Sequence, residues 1–268
     1  MALIALHSAS TGLSSLNTEL DVTANNLANV NTTGFRASRV NFQDLLYLER
    51  ATPGTENANG DQRPTGLYVG LGVQVSGTQL SFEQGSILPS PGRPLDVAIE
   101  GDGFFKVQIE PERGGGFAYT RAGHFTRNAD GELVLATDQG RRLEPNITIP
   151  PQATEISIAG DGTVNFIDQT GARGTAGQIQ IANFINPAGL TQIGETLFTA
   201  TEASGPEILA NPGEQGLGEL LGGFIESSNV DPTRELISLI RTQRAFEMNS
   251  QVIRAADETL QAAAQLRR

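Results

Sequence analysis

Large apolar residues stand seven positions apart at both ends of this chain, and that interval decides what the ends can fold into. Near the start, Leu6, Leu13, Leu20 and Leu27 form one row, and Ala9, Leu16, Thr23 and Val30 form a second row three residues further on. An a/d pattern of this kind predicts a helix whose apolar stripe has to be covered by another helix. Near the end, Leu239, Phe246, Ile253 and Leu260 keep the same interval, flanked by Leu236, Ile240 and Ala264. The companion row there runs Leu236, Gln243, Ser250, Asp257 and Ala264, so half of that seam is polar. A polar seam weakens a simple two-stranded coil but can set register in a larger bundle. The expected fold is a mainly β body inserted between N- and C-terminal helices that pair as a coiled coil. The helix-pairing and self-assembly set is Leu6, Leu13, Leu16, Leu20, Leu27, Val30, Leu236, Leu239, Ile240, Phe246, Ile253 and Leu260.

The leading helix is predicted from Met1 to about Val30, ending where Asn25, Asn26, Asn29, Asn31 and Gly34 favour caps and turns. Its outer face is Ser, Thr and Asn, with few charges to form ion pairs along it, so alone it is marginal in water. The closing helix starts at Asp231-Pro232: Asp accepts a hydrogen bond from an orphan N–H, and Pro at the first helical position loses nothing. Between them the period changes to two. Alternating runs at 95–99 and 104–109 flank Gly101-Asp102-Gly103. Runs at 122–127 and 132–135 flank Asp130-Gly131, and runs at 155–159 and 163–167 flank Asp161-Gly162. Asp-Gly between such runs predicts hairpins, and no helical pattern interrupts them. Residues 213–223 are Gly-rich and read as irregular. The expected organisation is a helix over 1–35, an extended connector over 36–70, a β-rich outer domain over 71–217, a return connector over 218–230 and a helix over 231–268.

The chain offers little for catalysis. It has no Cys, which excludes disulfides, thiolate metal sites and cysteine nucleophiles. His7 and His124 lie far apart, and no metalloprotease, nucleophile-elbow or phosphate-loop motif occurs. Asp96, Asp102 and Asp130 could supply paired acids for glycoside hydrolysis, but two of them fall in hairpin turns, where Asp serves the backbone. Asn128-Ala129-Asp130-Gly131 lacks the other ligands of a calcium loop. The expectation is no enzyme, no metal and no cofactor. A net charge of −12 argues against a broad grip on nucleic acid. No stretch approaches a membrane span, and residues 1–6 are too short for a signal-peptide core.

Residues 47–64, YLERATPGTENANGDQRP, form a polar stretch broken by Pro53, Gly54, Gly60 and Pro64. Taken alone the stretch reads as a disordered loop; because an excursion this long inside a compact domain is unusual, a contact loop is the alternative. Residues 24–36, ANNLANVNTTGFR, resemble the N-terminal signature of bacterial flagellar rod and hook proteins. The carriers within it are Asn25, Asn26, Leu27, Asn29, Asn31, Gly34 and Phe35. The likeness extends through 97–105 (VAIEGDGFF), 119–125 (YTRAGHF), 228–236 (SNVDPTREL) and 244–249 (RAFEMN). Leu45-Leu46-Tyr47, the polar stretch to Pro64, Gly66 and 70–73 (GLGV) are similar to the extra segment that separates the distal-rod branch of that family from hook protein.

The resemblance implies paired terminal helices lining an inner tube and a β domain facing outward. It implies a subunit of the distal rod, polymerising with itself into a hollow, stiff drive shaft that carries torque to the hook and lets exported subunits pass. Implied partners are proximal rod proteins, the hook protein, the P- and L-ring proteins of the envelope and the flagellar type III export apparatus. The implied location is the basal body, where the rod crosses the periplasm and outer membrane after export without a cleaved signal peptide. Residues Tyr47, Glu49, Arg50, Pro53, Glu56 and Pro64 carry the implied rod-stiffening role. Alternatives are a proximal rod subunit of the same family and an exported β-rich adhesin. Weak helices that need many neighbours should be largely unfolded in the dilute monomer. Circular dichroism of full-length and terminally trimmed chains checks this: substantial extra helix in the dilute full-length monomer contradicts it.

Overall fold

The computed structural model describes residues 2–56, 61–112 and 114–265; positions 57–60 of the 47–64 stretch, and the first and last residues of the expected terminal helices, lie outside the described residues. The chain is mostly β, with one long helix at each end, as the sequence predicts. It divides into two compact units. One takes in both terminal helices and Ser38–Gln79; the other takes in Asn29–Ala37 and Leu80–Val230.

In the helical unit, α1 (Ala2–Ala28) and α2 (Pro232–Gln265) pack against each other. Gly12 lies beside Asn249 and Asn26 beside Glu235, so the helices run antiparallel. Asp231 caps α2 as predicted: its Oδ1 accepts the N–H groups of Thr233 (2.9 Å) and Arg234 (3.3 Å). Helix α1 ends two residues before the expected Val30. The Asn26 carboxamide then holds the returning chain. Its Oδ1 accepts the Ser38 N–H at 2.9 Å and its Nδ2 donates to the Ser38 carbonyl at 2.8 Å, so one side chain copies a β-bridge and fixes the chain's return.

Residues 38–80, expected to begin as an extended connector, form a two-stranded ribbon instead. Strands β1 (Ser38–Asp44) and β4 (Val73–Leu80) pair, and β2 (Tyr47–Ala51) pairs antiparallel with β3 (Leu67–Gly70). Leu45 N–H to Gly72 O and Leu71 N–H to Leu46 O join the two halves. Pairing satisfies backbone groups that a lone extended chain would leave to water. The ribbon meets α1 at Gly72, where φ is +116° and a Cβ would fall 2.1 Å from Thr11 Oγ1. Only glycine fits that crossing.

The second unit is built of short sheets. Its largest sheet runs Thr191–Gly194, Leu197–Thr199, Phe117–Thr120, Phe104–Gln108, Ile181–Asn183, Ile208–Ala210, with Leu143–Glu144 also paired to Phe104–Gln108. Two expected hairpins form: Phe125–Arg127 with Leu133–Leu135, and Ala153–Ile158 with Thr163–Asp168. Asp161 closes the second turn by accepting from the Thr163 N–H and hydroxyl. The hairpin expected across Gly101-Asp102-Gly103 does not form. Val97–Glu100 pairs with Glu219–Gly222, inside the stretch read as irregular, and Phe104–Gln108 pairs with Phe117–Thr120. The short link carries the chain from one sheet to another because both flanking strands are buried and each needs its own partner.

The core collects Val97, Ile99, Phe105, Val107, Phe125, Leu133, Leu143, Ile147, Ile149, Ile179, Ile181, Leu197 and Leu220. Phe105 meets Phe125 edge-on at 5.1 Å. A second cluster stacks Phe104, Tyr119, Phe184 and Phe198 against Phe82. Burying each such ring is worth roughly 1.5–3 kcal/mol. Phe105→Ala should cost the β unit about 3–5 kcal/mol, read by chemical unfolding of the body. Ile185→Ala, at a 77% exposed position, should change it by no more than about 0.5 kcal/mol. Equal effects would contradict this assignment of the core.

Candidate assembly surfaces and the signature loop

The helix seam is made of small side chains. On α1 the buried positions are Ala9, Gly12, Ser15, Thr23 and Asn26; on α2 they are Thr242 and Ala256. Gly12 leaves room for Asn249, whose Nδ2 would lie 3.3 Å from a Cβ there. Small residues let the two backbones come close, so the long side chains are displaced to the flanks of the contact. Leu6, Leu13, Leu16, Leu20, Leu27 and Val30 are accordingly only half-buried, as are Leu239, Phe246 and Ile253. Val30 lies past the end of α1, in a turn.

The solvent-facing surface of α2 mixes charged and polar residues with large apolar ones. Leu236, Ile237, Ile240, Met248, Val252 and Leu260 are all exposed. At 3.6 residues per turn Leu236, Ile237 and Ile240 lie on the side of α2 away from Thr242, Asn249 and Ala256, Met248 lies at the edge of that side, and Val252 turns back toward the seam. An exposed apolar patch at the start of a helix marks a surface meant to be covered.

The ribbon is the second exposed surface. Phe42, Leu46, Tyr47, Leu48, Leu67 and Tyr68 are exposed along it. Tyr47 faces Gly70 and Glu49 faces Tyr68 across the strands. Pro53, Glu56 and Pro64 lie toward the exposed tip, where Gly54 N–H bonds to Arg63 O and Glu56 bridges to Gln62. Arg50 is exposed on β2.

The signature residues after α1 belong to the β unit. Asn29 accepts from the Thr32 N–H and hydroxyl, both at 3.1 Å, and starts a turn. Gly34 has φ +67°, and a Cβ there would sit 2.5 Å from the Ala122 nitrogen. Its N–H donates to the Glu226 carbonyl at 2.9 Å. Leu27 and Phe35 are half-buried, while Asn25 and Asn31 are exposed. Arg36 follows with its side chain fully buried, and its Nη2 donates to Glu226 Oε1 at 2.7 Å. That oxygen also accepts the Gly85 N–H at 2.9 Å.

Arg121 lies on the other side of the same carboxylate, its Nη1 3.6 Å from Oε2. It donates to the carbonyls of Ile99 and Gly101 and lies over the Phe104 ring. Burial pushes the Arg121 guanidinium down to about 10; Glu226 opposes that shift and Arg36 adds to it. It remains charged at neutral pH. Asn229 ties the neighbouring strands: Oδ1 accepts the Ala37 N–H at 2.7 Å, and Nδ2 donates to the Ser81 and Glu83 carbonyls. Glu226, Arg121 and Asn229 were not singled out as site residues from the sequence. The available signal was an acidic residue closing the apolar run Phe224-Ile225, just before Ser-Ser-Asn.

Of the residues weighed for chemistry, Asp96 and His124 face each other across an isolated β-bridge. Asp102 and Asp130 lie in links between strands, while Asp96 accepts from the Ser90 hydroxyl and pairs with Arg93. Lys106, the only lysine, pairs with Glu207 at 2.7 Å over the Phe117 ring. Among the described residues no helix is long and apolar enough to cross a membrane.

Comparison with known proteins covers both ends and the body. Residues 6–36 match the family "Flagella basal body rod protein", 98–166 match "Flagellar hook protein FlgE/F/G D1 domain", and 221–266 match "Flagellar basal body rod FlgEFG protein C-terminal". The chain is 44% identical to the flagellar basal-body rod protein FlgG of Caulobacter vibrioides, over 98% of this chain and 99% of that one. It is 43% identical to FlgG of Borreliella burgdorferi over 98% of both, and 33% identical to FlgF of Caulobacter vibrioides over 87% of this chain and 84% of the relative.

Thr33 and His124 add a titratable contact to the signature loop, with Thr33 Oγ1 2.6 Å from Nε2. Burial holds the His124 imidazole below its ordinary value; Asp96 opposes that shift and Arg93 adds to it. The unfolded chain therefore binds a proton more readily than the folded one. The stability that depends on neutral His124 is present above pH 6.5 and is lost as pH falls through the lower folded value. Unfolding of the body at pH 7 and pH 5 should show less stability at pH 5, and His124→Gln should shrink the difference. An unchanged pH dependence in that variant contradicts the assignment.

Proposed function

The chain belongs to the flagellar basal-body rod family, and we propose that it is the distal-rod subunit, which stacks helically with its own copies into a hollow, rigid shaft. It is a structural component of the rod, in a family that is structural rather than enzymatic. The observation that carries the proposal is the side of α2 on which Leu236, Ile237 and Ile240 stand exposed, beside a small-residue seam. One α1–α2 pair cannot cover that side, and neighbouring copies of the same pair can. Each leucine or isoleucine so covered contributes roughly 1.5–3 kcal/mol before the ordering entropy of the helices is subtracted. Assembly then needs many neighbours at once, which confines it to a growing end.

In this reading α1 and α2 pair as a coiled coil and line the inner wall, and residues 71–217 form the outward β domain. The leucine set from Leu6 to Leu260 supplies contacts to adjacent copies. The ribbon that includes residues 47–64 lies against neighbours and stiffens the shaft, with Glu49, Arg50 and Glu56 contributing to contacts between copies. Proximal rod proteins below, the hook protein above and the P- and L-rings around the shaft are the partners. Subunits arrive through the flagellar type III export apparatus without a cleaved signal peptide, and the shaft crosses the periplasm and outer membrane. The net charge of −12 gives the exterior a self-repelling surface suited to turning inside a ring.

Deleting the gene and imaging the envelope-embedded basal structures tests this. A short stub that ends before the hook, with no motility, is expected. Loss of all axial structure beyond the inner ring moves the protein to the proximal rod, and an intact shaft and hook overturns the rod role. Removing residues 47–64 alone should yield a shaft that bends; a straight, equally stiff shaft refutes the stiffening role.

A further inference from the structure

Residues 29–37 sit among strands that follow them in the chain only after a long excursion. The Gly34 N–H is held by the Glu226 carbonyl and Arg36 by the Glu226 carboxylate. Ala37 gives its N–H to Asn229 Oδ1, and its carbonyl accepts the Ser81 N–H at 2.8 Å. Phe35 O accepts the Asn229 N–H at 3.4 Å. The excursion itself, residues 38–79, groups with the helices instead.

We propose that Asn29–Ala37 is a latch of the β body, locked by Arg36 on Glu226, which stays docked when the terminal helices are unfolded. The latch forms part of the body's cooperative unit; α1 before it and the ribbon after it do not. Three features carry this. The Arg36 and Glu226 side chains are both 0% exposed, so the pair is withdrawn from water and cannot loosen without stranding a buried charge. Gly34 leaves no space between its backbone and residues 121–122, so the loop is seated rather than draped. The segments on either side have the marks of low local stability. The leucine row of α1 is half-covered, and the ribbon is two-stranded and largely exposed.

A docked latch has a consequence for the ends. Ala37 bonds Asn229 and the Gly34 N–H bonds the Glu226 carbonyl, so the loop that follows α1 sits beside the residues that lead into α2 even with both helices unfolded. The unfolded ends are then tethered close together, which raises the effective concentration of one for the other. This goes beyond the rod reading and does not depend on it.

Hydrogen exchange with mass spectrometry on the full-length monomer tests the latch. Amides of 29–37 should exchange at least tenfold more slowly than those of α1 and the ribbon, and in step with the strand Phe104–Gln108. Arg36→Met should speed exchange tenfold or more in 29–37, 226–229 and Phe104–Gln108 together, and Arg36→Lys should fall between. Wild-type exchange of 29–37 in step with α1 overturns the proposal, as does unchanged protection in Arg36→Met. If Arg36→Met unfolds the whole body, the wild-type rates decide by themselves.

Discussion

The body depends on a carboxylate kept out of water. Glu226 has no exposed side-chain surface, and ionised it is tolerable only because two guanidinium groups and a backbone N–H face it. Those partners come from distant parts of the chain: Arg36 near the start, Gly85 and Arg121 in the body. Arg121 extends the arrangement by bonding the Ile99 and Gly101 carbonyls, where the chain leaves one sheet for another. One desolvated charge thus ties together segments that lie far apart in the chain. A hydrophobic trio of the same volume could fill the space but could not specify which segments meet there, because apolar contacts have no direction.

The terminal helices follow a different logic. Close approach is assigned to Ala9, Gly12, Ser15, Thr242 and Ala256, and apolar bulk is assigned to side chains that the pair leaves half-covered or exposed. A pair built that way has little to hold it alone, because small residues contribute little buried area. The leucines and isoleucines keep most of their capacity for other contacts. Weak internal pairing and strong outward apolarity are two aspects of one arrangement.

The sequence was legible where a local rule acted alone. Asp231-Pro232 announced the start of α2, and the Asp-Gly turns at 130–131 and 161–162 gave hairpins, because capping and turn chemistry need only neighbouring residues. It failed where a distant partner outcompeted the local one. Val97–Glu100 takes Glu219–Gly222 rather than the strand just beyond Gly103, and nothing between 95 and 109 encodes that choice. Residues 36–70 read as connector because the partners of their first strands lie on the far side of a polar, proline-broken stretch. The heptad rows predicted which residues are apolar. They could not predict that Gly12 and its small neighbours would occupy the seam, since periodicity reports a face and not the distance at which it is approached. Glu226 escaped notice because a single acid at a strand end carries no pattern.

The ribbon's topology sets how it bears load. In a two-stranded antiparallel ribbon joined at one tip, a force that slides the strands past each other strains all the cross-strand hydrogen bonds from Ser38 to Leu80 together. A force that peels the strands apart from the open end meets them one pair at a time. The same set of bonds is therefore strong in shear and weak as a zipper. A ribbon of this kind is a stiffener only when the pull runs along its length.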